Sequence, residues 1–158
     1  MKATIIGTGS YIPEYILTNQ ELSTMVETDD EWIVTRTGIS ERRIQKSGDV
    51  ADMAVNAALK ALDNAGINSE DIDLIIAATS TPDYLFPNCS SIIQKNTGAI
   101  NAVCFDISAA CSGFIMALSA AKAYIEAGMY KKVLIVCSEK MSGITDWKDR
   151  LLLVRQCA

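Results

Sequence analysis

Ile100-Asn-Ala-Val-Cys-Phe-Asp-Ile107-Ser-Ala-Ala-Cys111-Ser-Gly113 contains an apolar run of strand length, three small residues, a thiol and the start of an apolar helix. The run predicts a strand over Ile100–Ile107 and a helix over Gly113–Ala127, joined by a tight corner. The same alternation recurs on either side. Ile72–Ala78 is apolar but for Asp73 and is followed by Thr79-Ser80-Thr81-Pro82, and Val133–Cys137 is another apolar run, introduced by Lys131-Lys132. Between them, Pro87 and Asn88 open a helix that runs to Gly98. Upstream, Met53, Ala54, Ala57, Ala58, Ala61 and Leu62 recur at helical spacing within Val50–Ala65, closed by Gly66. Apolar strands without alternation, separated by helices, specify an α/β fold with a mostly parallel sheet covered on both faces.

Towards the N-terminus, Ala3–Ile6 is a short β-rich run stopped by Gly7-Thr-Gly9-Ser and Pro13. Thr18 and Asn19 offer caps to a helical pattern, an acidic-start helix follows over Asp29–Thr35, and Gly38 ends it. The polar stretch Glu41–Val50 is expected to be a loop. Gly7-x-Gly9 lacks the third glycine of a dinucleotide fingerprint, since Ile12-Pro13 follows, so both glycines are assigned to turns.

Composition narrows the function. The 158 residues are 49% apolar and 21% charged, a globular balance, and the net charge of −5 argues against nucleic-acid binding. Cys89, Cys104, Cys111, Cys137 and Cys157 are irregularly spaced, which reads as reduced thiols. With no histidine and no CxxC pair, a metal site is not expected. No apolar run approaches membrane-spanning length and none forms a signal-peptide core, so the expected location is cytoplasmic.

Cys111 has two readings from its residues alone. Free cysteines are commonly small core residues. Against that, this one lies where a strand ends and a helix begins, and there the free N–H groups and dipole stabilise a thiolate by ~0.3–2 kcal/mol. A cysteine nucleophile usually has a histidine beside it, and this chain contains none.

A longer motif weights the choice. Glu27-Thr-Asp-Asp-Glu-Trp32-Ile-Val-Thr-Arg36-Thr-Gly38-Ile-Ser-Glu-Arg42-Arg43-Ile44, with Gly7–Pro13 before it and Asp106–Phe114 after it, resembles the β-ketoacyl-ACP synthase III family. The resemblance runs from about Met1 to Arg150. It implies a thiolase-like fold of two similar α/β halves, of which residues 1–150 would be the N-terminal one. The implied reaction starts fatty-acid synthesis: a Claisen condensation of acyl-CoA, such as acetyl-CoA, with malonyl-ACP through an acyl-cysteine. CoA is then a substrate and no cofactor is implied.

By the same resemblance Cys111 accepts the acyl group, with its own N–H as one oxyanion donor. Trp32 and Arg150 sandwich the CoA adenine, and Thr28 and Arg36 complete the CoA contact. Phe86 lies at a homodimer contact and lines the partner's acyl pocket. Simpler readings stand beside these: a solvated cluster for Arg36, Arg42 and Arg43, and a buried loop anchor for Phe86.

The family's second half supplies a histidine and an asparagine, preceded by a Phe-Gly-[Asp/Asn]-[Gly/Ala] segment. Here residues 151–158 read Leu-Leu-Leu-Val-Arg-Gln-Cys-Ala. With codons CTT-GTT-CGG-CAA-TGC-GCN for residues 153–158, the next frame reads Leu-Phe-Gly-Asn-Ala. A frame shift after Arg150 is therefore the expected origin of this tail. On this reading the chain does not complete turnover alone. The alternatives are a non-catalytic or acyl-accepting remnant that binds CoA, and a related HMG-CoA synthase-like or polyketide starter enzyme.

Overall fold

The computed structural model describes residues 2–149, and these divide after Tyr11, Gly48 and Glu139 into two compact units. The smaller comprises residues 12–48 and 140–149. It holds an antiparallel pair, β1 (Tyr15–Thr18) and β2 (Glu41–Ile44), in the register Tyr15↔Ile44 to Thr18↔Glu41. Between them lie α1 (Asn19–Leu22) and α2 (Asp30–Thr37).

The expected caps form. Thr18 Oγ1 accepts from Glu21 N, Asp29 Oδ1 accepts from Trp32 N at 2.7 Å, and Gly38 closes α2 at φ 73°. Leu17, Leu22, Ile33 and Ile44 make the core of this unit.

Strand β2 corrects the expectation of a loop over Glu41–Val50. Arg42 points inward and is only 2% exposed, with Nη1 donating to Asn19 Oδ1 at 2.6 Å. Asn19 in turn donates to Asp30 Oδ1 and to the Ile39 carbonyl. A buried, hydrogen-bonded guanidinium alternates with Ile44 as a hydrophobe would, which the charge of Glu-Arg-Arg conceals. Arg42 is therefore not part of a solvated cluster, whereas Arg43 is exposed beside Glu41.

The larger unit, residues 2–11 and 49–139, contains α3 (Val50–Ala65), β3 (Leu74–Ala78), α4 (Cys89–Thr97), β4 (Val103–Ile107), α5 (Gly113–Glu126) and β5 (Val133–Cys137). Its sheet is wholly parallel in the order β4-β3-β5. Strand β3 is central and buried along its whole length. Ile75 and Ala77 pack with α3 and α4 through Ala54, Ala58, Leu62 and Ile93. Leu74 and Ile76 pack on the opposite face against Ala117 and Ala121 of α5. The sheet is thus covered on both faces, as the uninterrupted apolar strands require.

Two departures concern edges. Strand β4 begins at Val103, because Ile100 is taken into a turn after α4. Ala3–Ile6 forms no strand: Ile5 and Ile6 are exposed, and the segment lies across a cavity of about 480 Å³ from β5. It is held instead along α3, where Thr8 N donates to Asn64 Oδ1 and Lys60 Nζ donates to the Ser10 carbonyl.

That docking explains Gly7 and Gly9 better than turns do. A Cβ on Gly9 would lie 2.3 Å from Ala61 N, and one on Gly7 would lie 2.6 Å from Ala65 Cβ. Both are close-approach glycines.

Candidate functional site

The C-terminal ends of three adjacent parallel strands come together in the larger unit, the position at which ligand sites of open α/β sheets form. From β4 the chain passes through Ser108 and Ala109 into a single 3-10 turn, Ala110–Ser112, which leads directly into α5. Cys111 occupies that turn and its side chain is exposed. The core reading of this cysteine is thereby overturned.

The turn is tight for two reasons. Gly113 sits so close to β3 that a Cβ there would be 3.0 Å from Ala78 Cβ. Ala110 adopts φ 44°, a left-handed conformation that costs an alanine about 1–2 kcal/mol. A surrounding network holds it there, since Ala110 N donates to Ser80 Oγ at 3.1 Å.

Ser80 belongs to the loop after β3, and that loop is organised by Glu139 from just beyond β5. Glu139 Oε1 accepts from Ser80 N at 2.7 Å, and Oε2 accepts from Thr81 Oγ1 at 2.5 Å. Thr79 Oγ1 lies 3.5 Å from Oε2 and accepts from Thr81 N.

Sequence reasoning missed Ser80, Thr81 and Glu139. Their signal was positional, because polar residues directly after buried strands in a parallel sheet face the ligand end. Asp106 acts on the other side, with its carboxylate accepting from Cys89 N at 2.8 Å and Ser90 N at 2.9 Å at the start of α4. Asn88 caps the same helix through Ser91 N.

Burial raises three thiols above the usual thiol range. Burial, then the charges of Asp106, Asp83 and Glu139, push Cys89 up to about 12. Burial and Asp106 raise Cys104, and partial desolvation with Glu139 raises Cys137. Cys157 lies outside the described residues.

Of the residues expected to contact CoA, those among the described residues lie in the smaller unit. The Arg36 guanidinium lies 4.5 Å from the centroid of the Trp32 ring, and Arg36 Nη1 donates to the Trp32 carbonyl at 3.3 Å. One turn of α2 thus presents an indole with a guanidinium over its ring. Arg36 is exposed, as the solvated reading also required, but it lies over the Trp32 ring. Thr28 Oγ1 is buried without a hydrogen-bond partner among the described residues. Arg150 lies outside the described residues, as does the tail 151–158.

Phe86 is 91% exposed and Leu85 96%, on the loop before α4, so the buried-anchor reading of Phe86 is overturned. Among the described residues no group of three or more His, Cys, Asp or Glu side chains could hold a metal ion. No helix among them is long and apolar enough to cross a membrane.

Solved structures resemble this chain closely. The 3-oxoacyl-[acyl-carrier-protein] synthase III of Aquifex aeolicus VF5 matches with a TM-score of 0.93 and 49% identity, over 95% of this chain and 49% of that one. The priming β-ketosynthase of the R1128 polyketide pathway matches with a TM-score of 0.92 and 40% identity, over 95% of this chain and 45% of that one. Fold and site therefore define one half of a thiolase-like condensing enzyme.

The family model for 3-oxoacyl-[acyl-carrier-protein (ACP)] synthase III matches residues 105–155, a stretch that includes the Cys111 corner. The β-ketoacyl-[acyl-carrier-protein] synthase III of Caldanaerobacter subterraneus subsp. tengcongensis is 54% identical over 149 residues, covering 94% of this chain and 45% of that protein. The chain belongs to the β-ketoacyl-ACP synthase III family, and it spans about half the length of the curated relatives it matches.

Proposed function

We propose that this chain is the acyl-accepting half of a synthase that initiates fatty-acid synthesis, acting in the cytoplasm. The observation that carries the reading is the exposed Cys111 thiol, fixed in the turn between β4 and α5. In the first step its thiolate attacks the thioester carbonyl of acyl-CoA. The bond from carbonyl carbon to Cys111 sulfur forms, the bond to the CoA sulfur breaks, and the thiol proton passes through solvent to the departing CoA thiolate. The Cys111 N–H, in the turn that leads into α5, stabilises the oxyanion.

CoA binds through the smaller unit. Trp32, with the Arg36 guanidinium over its ring, offers a surface for the adenine, Arg150 joins them, and Thr28 backs the contact from within the unit. In the second step malonyl-ACP loses CO₂, and its carbanion displaces Cys111 from the acyl carbon. That step needs an imidazole, which these 158 residues do not contain. The condensation therefore draws on a second half-fold. The exposed Leu85–Phe86 loop is the contact of a homodimer.

Incubation with isotopically labelled acetyl-CoA, read by intact mass, tests this. One acetyl group per chain is expected, lost in Cys111→Ala, with no ketoacyl product when malonyl-ACP is added. A chain that acquires no acetyl group, or loses none in Cys111→Ala, overturns the acyl-accepting reading.

A further inference from the structure

We propose that Ser80 is a positioning residue for Cys111, and that Glu139 sets Ser80 in place. The inference rests on the reading of Cys111 as the acyl acceptor and adds residues to it. Ala110 directly precedes the thiol and holds a backbone conformation that an L side chain rarely adopts, φ 44°. Such a residue relaxes unless its surroundings over-determine it. The side-chain contact that holds its N–H is Ser80 Oγ, at 3.1 Å.

Ser80 is exposed, so packing does not immobilise it. Its backbone is fixed instead by Glu139 Oε1 at 2.7 Å, and Glu139 is itself oriented by Thr81 Oγ1 at 2.5 Å. The link therefore runs across the ends of the sheet: from the residue after β5, to the loop after β3, to the turn after β4. Each strand of the sheet contributes one member. None of these side chains touches the reacting carbonyl in this scheme; they act through the direction in which Cys111 leaves the turn.

Ser80→Ala removes the acceptor and frees Ala110. Acylation of Cys111 by acetyl-CoA should then slow about five- to tenfold, the size of one neutral hydrogen bond. Ser80→Thr keeps the hydroxyl and should restore the rate to within about twofold. Alkylation by iodoacetamide, followed at Cys111 and at Cys137 in the same chain, supplies the control.

Slower alkylation at Cys111 with Cys137 unchanged supports a positioning role. Equal changes at both thiols mean general loosening and overturn it, as does a wild-type rate at Cys111. If unmodified chain takes no acetyl group at all, the acyl-accepting reading falls, while the alkylation series still judges Ser80. Should Ser80→Ala not fold, Glu139→Gln tests the link from its other end. Slower modification of Cys111 with an unchanged far-ultraviolet spectrum supports the link, and an unchanged rate overturns it.

Discussion

At the scale of single residues, Cys111 and Cys89 show how environment divides one side-chain type into different roles. Cys111 is exposed in a turn, while burial, reinforced by nearby carboxylates, pushes the Cys89 thiol up to about 12. Linkage gives Cys89 a consequence for stability. Above pH about 9 the unfolded thiol ionises and the folded one does not, so the unfolded state binds fewer protons. Stability should therefore be unaffected by this group below pH 9 and should fall between pH 9 and about 12, a slope that Cys89→Ala flattens in urea titrations at several pH values. Ala110 offers a second test. Replacing it by glycine at φ 44° relieves the left-handed strain but loosens the unfolded chain. The net expectation is a gain of about 0.5–1 kcal/mol, read as a higher urea midpoint at constant slope.

At the scale of elements, helix α3 depends on partners distant in sequence. Asp83 accepts from Val50 N at 2.8 Å and Ala51 N at 2.9 Å, and Asp52 folds back to Asp49 N. Asp83→Ala leaves two first-turn donors without that acceptor and should cost about 2 kcal/mol by thermal unfolding. Further along the helix, Gly9 leaves no room for a side chain. Gly9→Val should displace residues 3–9 without unfolding the sheet, since that segment is in no ladder. The expected readout is faster limited proteolysis near the N-terminus, with the main unfolding transition shifted by less than about 1 kcal/mol. The helix pattern and its glycine stop were legible in the sequence because local spacing dictates them. The double cap from Asp83 was not, because only folding brings the two segments together.

For the whole molecule, exposed apolar surface is the chief energetic feature. Phe114, Ile115 and Met116 on α5 are each about half exposed, and Leu85 and Phe86 are almost fully so. Exposed apolar surface of this kind marks interaction sites or promotes association. Self-association is accordingly expected in sedimentation experiments, and Phe86→Ser should weaken it measurably. A monodisperse monomer that unfolds cooperatively at all concentrations would count against the dimer contact.

The sequence alone determined the alternation of strands and helices, the caps at Asn88 and Gly66, the position of Cys111 at a strand-to-helix corner and the family motif around Trp32. These follow from periodicity, local capping chemistry and contiguous residues, all of which are encoded over short spans. Only the tertiary structure decided that Arg42 is buried in a strand, that Gly7 and Gly9 serve close packing, that Phe86 is exposed, and that Glu139 and Ser80 stand behind the turn carrying the thiol. Each of these depends on segments far apart in the chain. Hydrogen bonds of about 3 Å and clashes at less than that are fixed by how strands stack in space, which spacing along the sequence does not record.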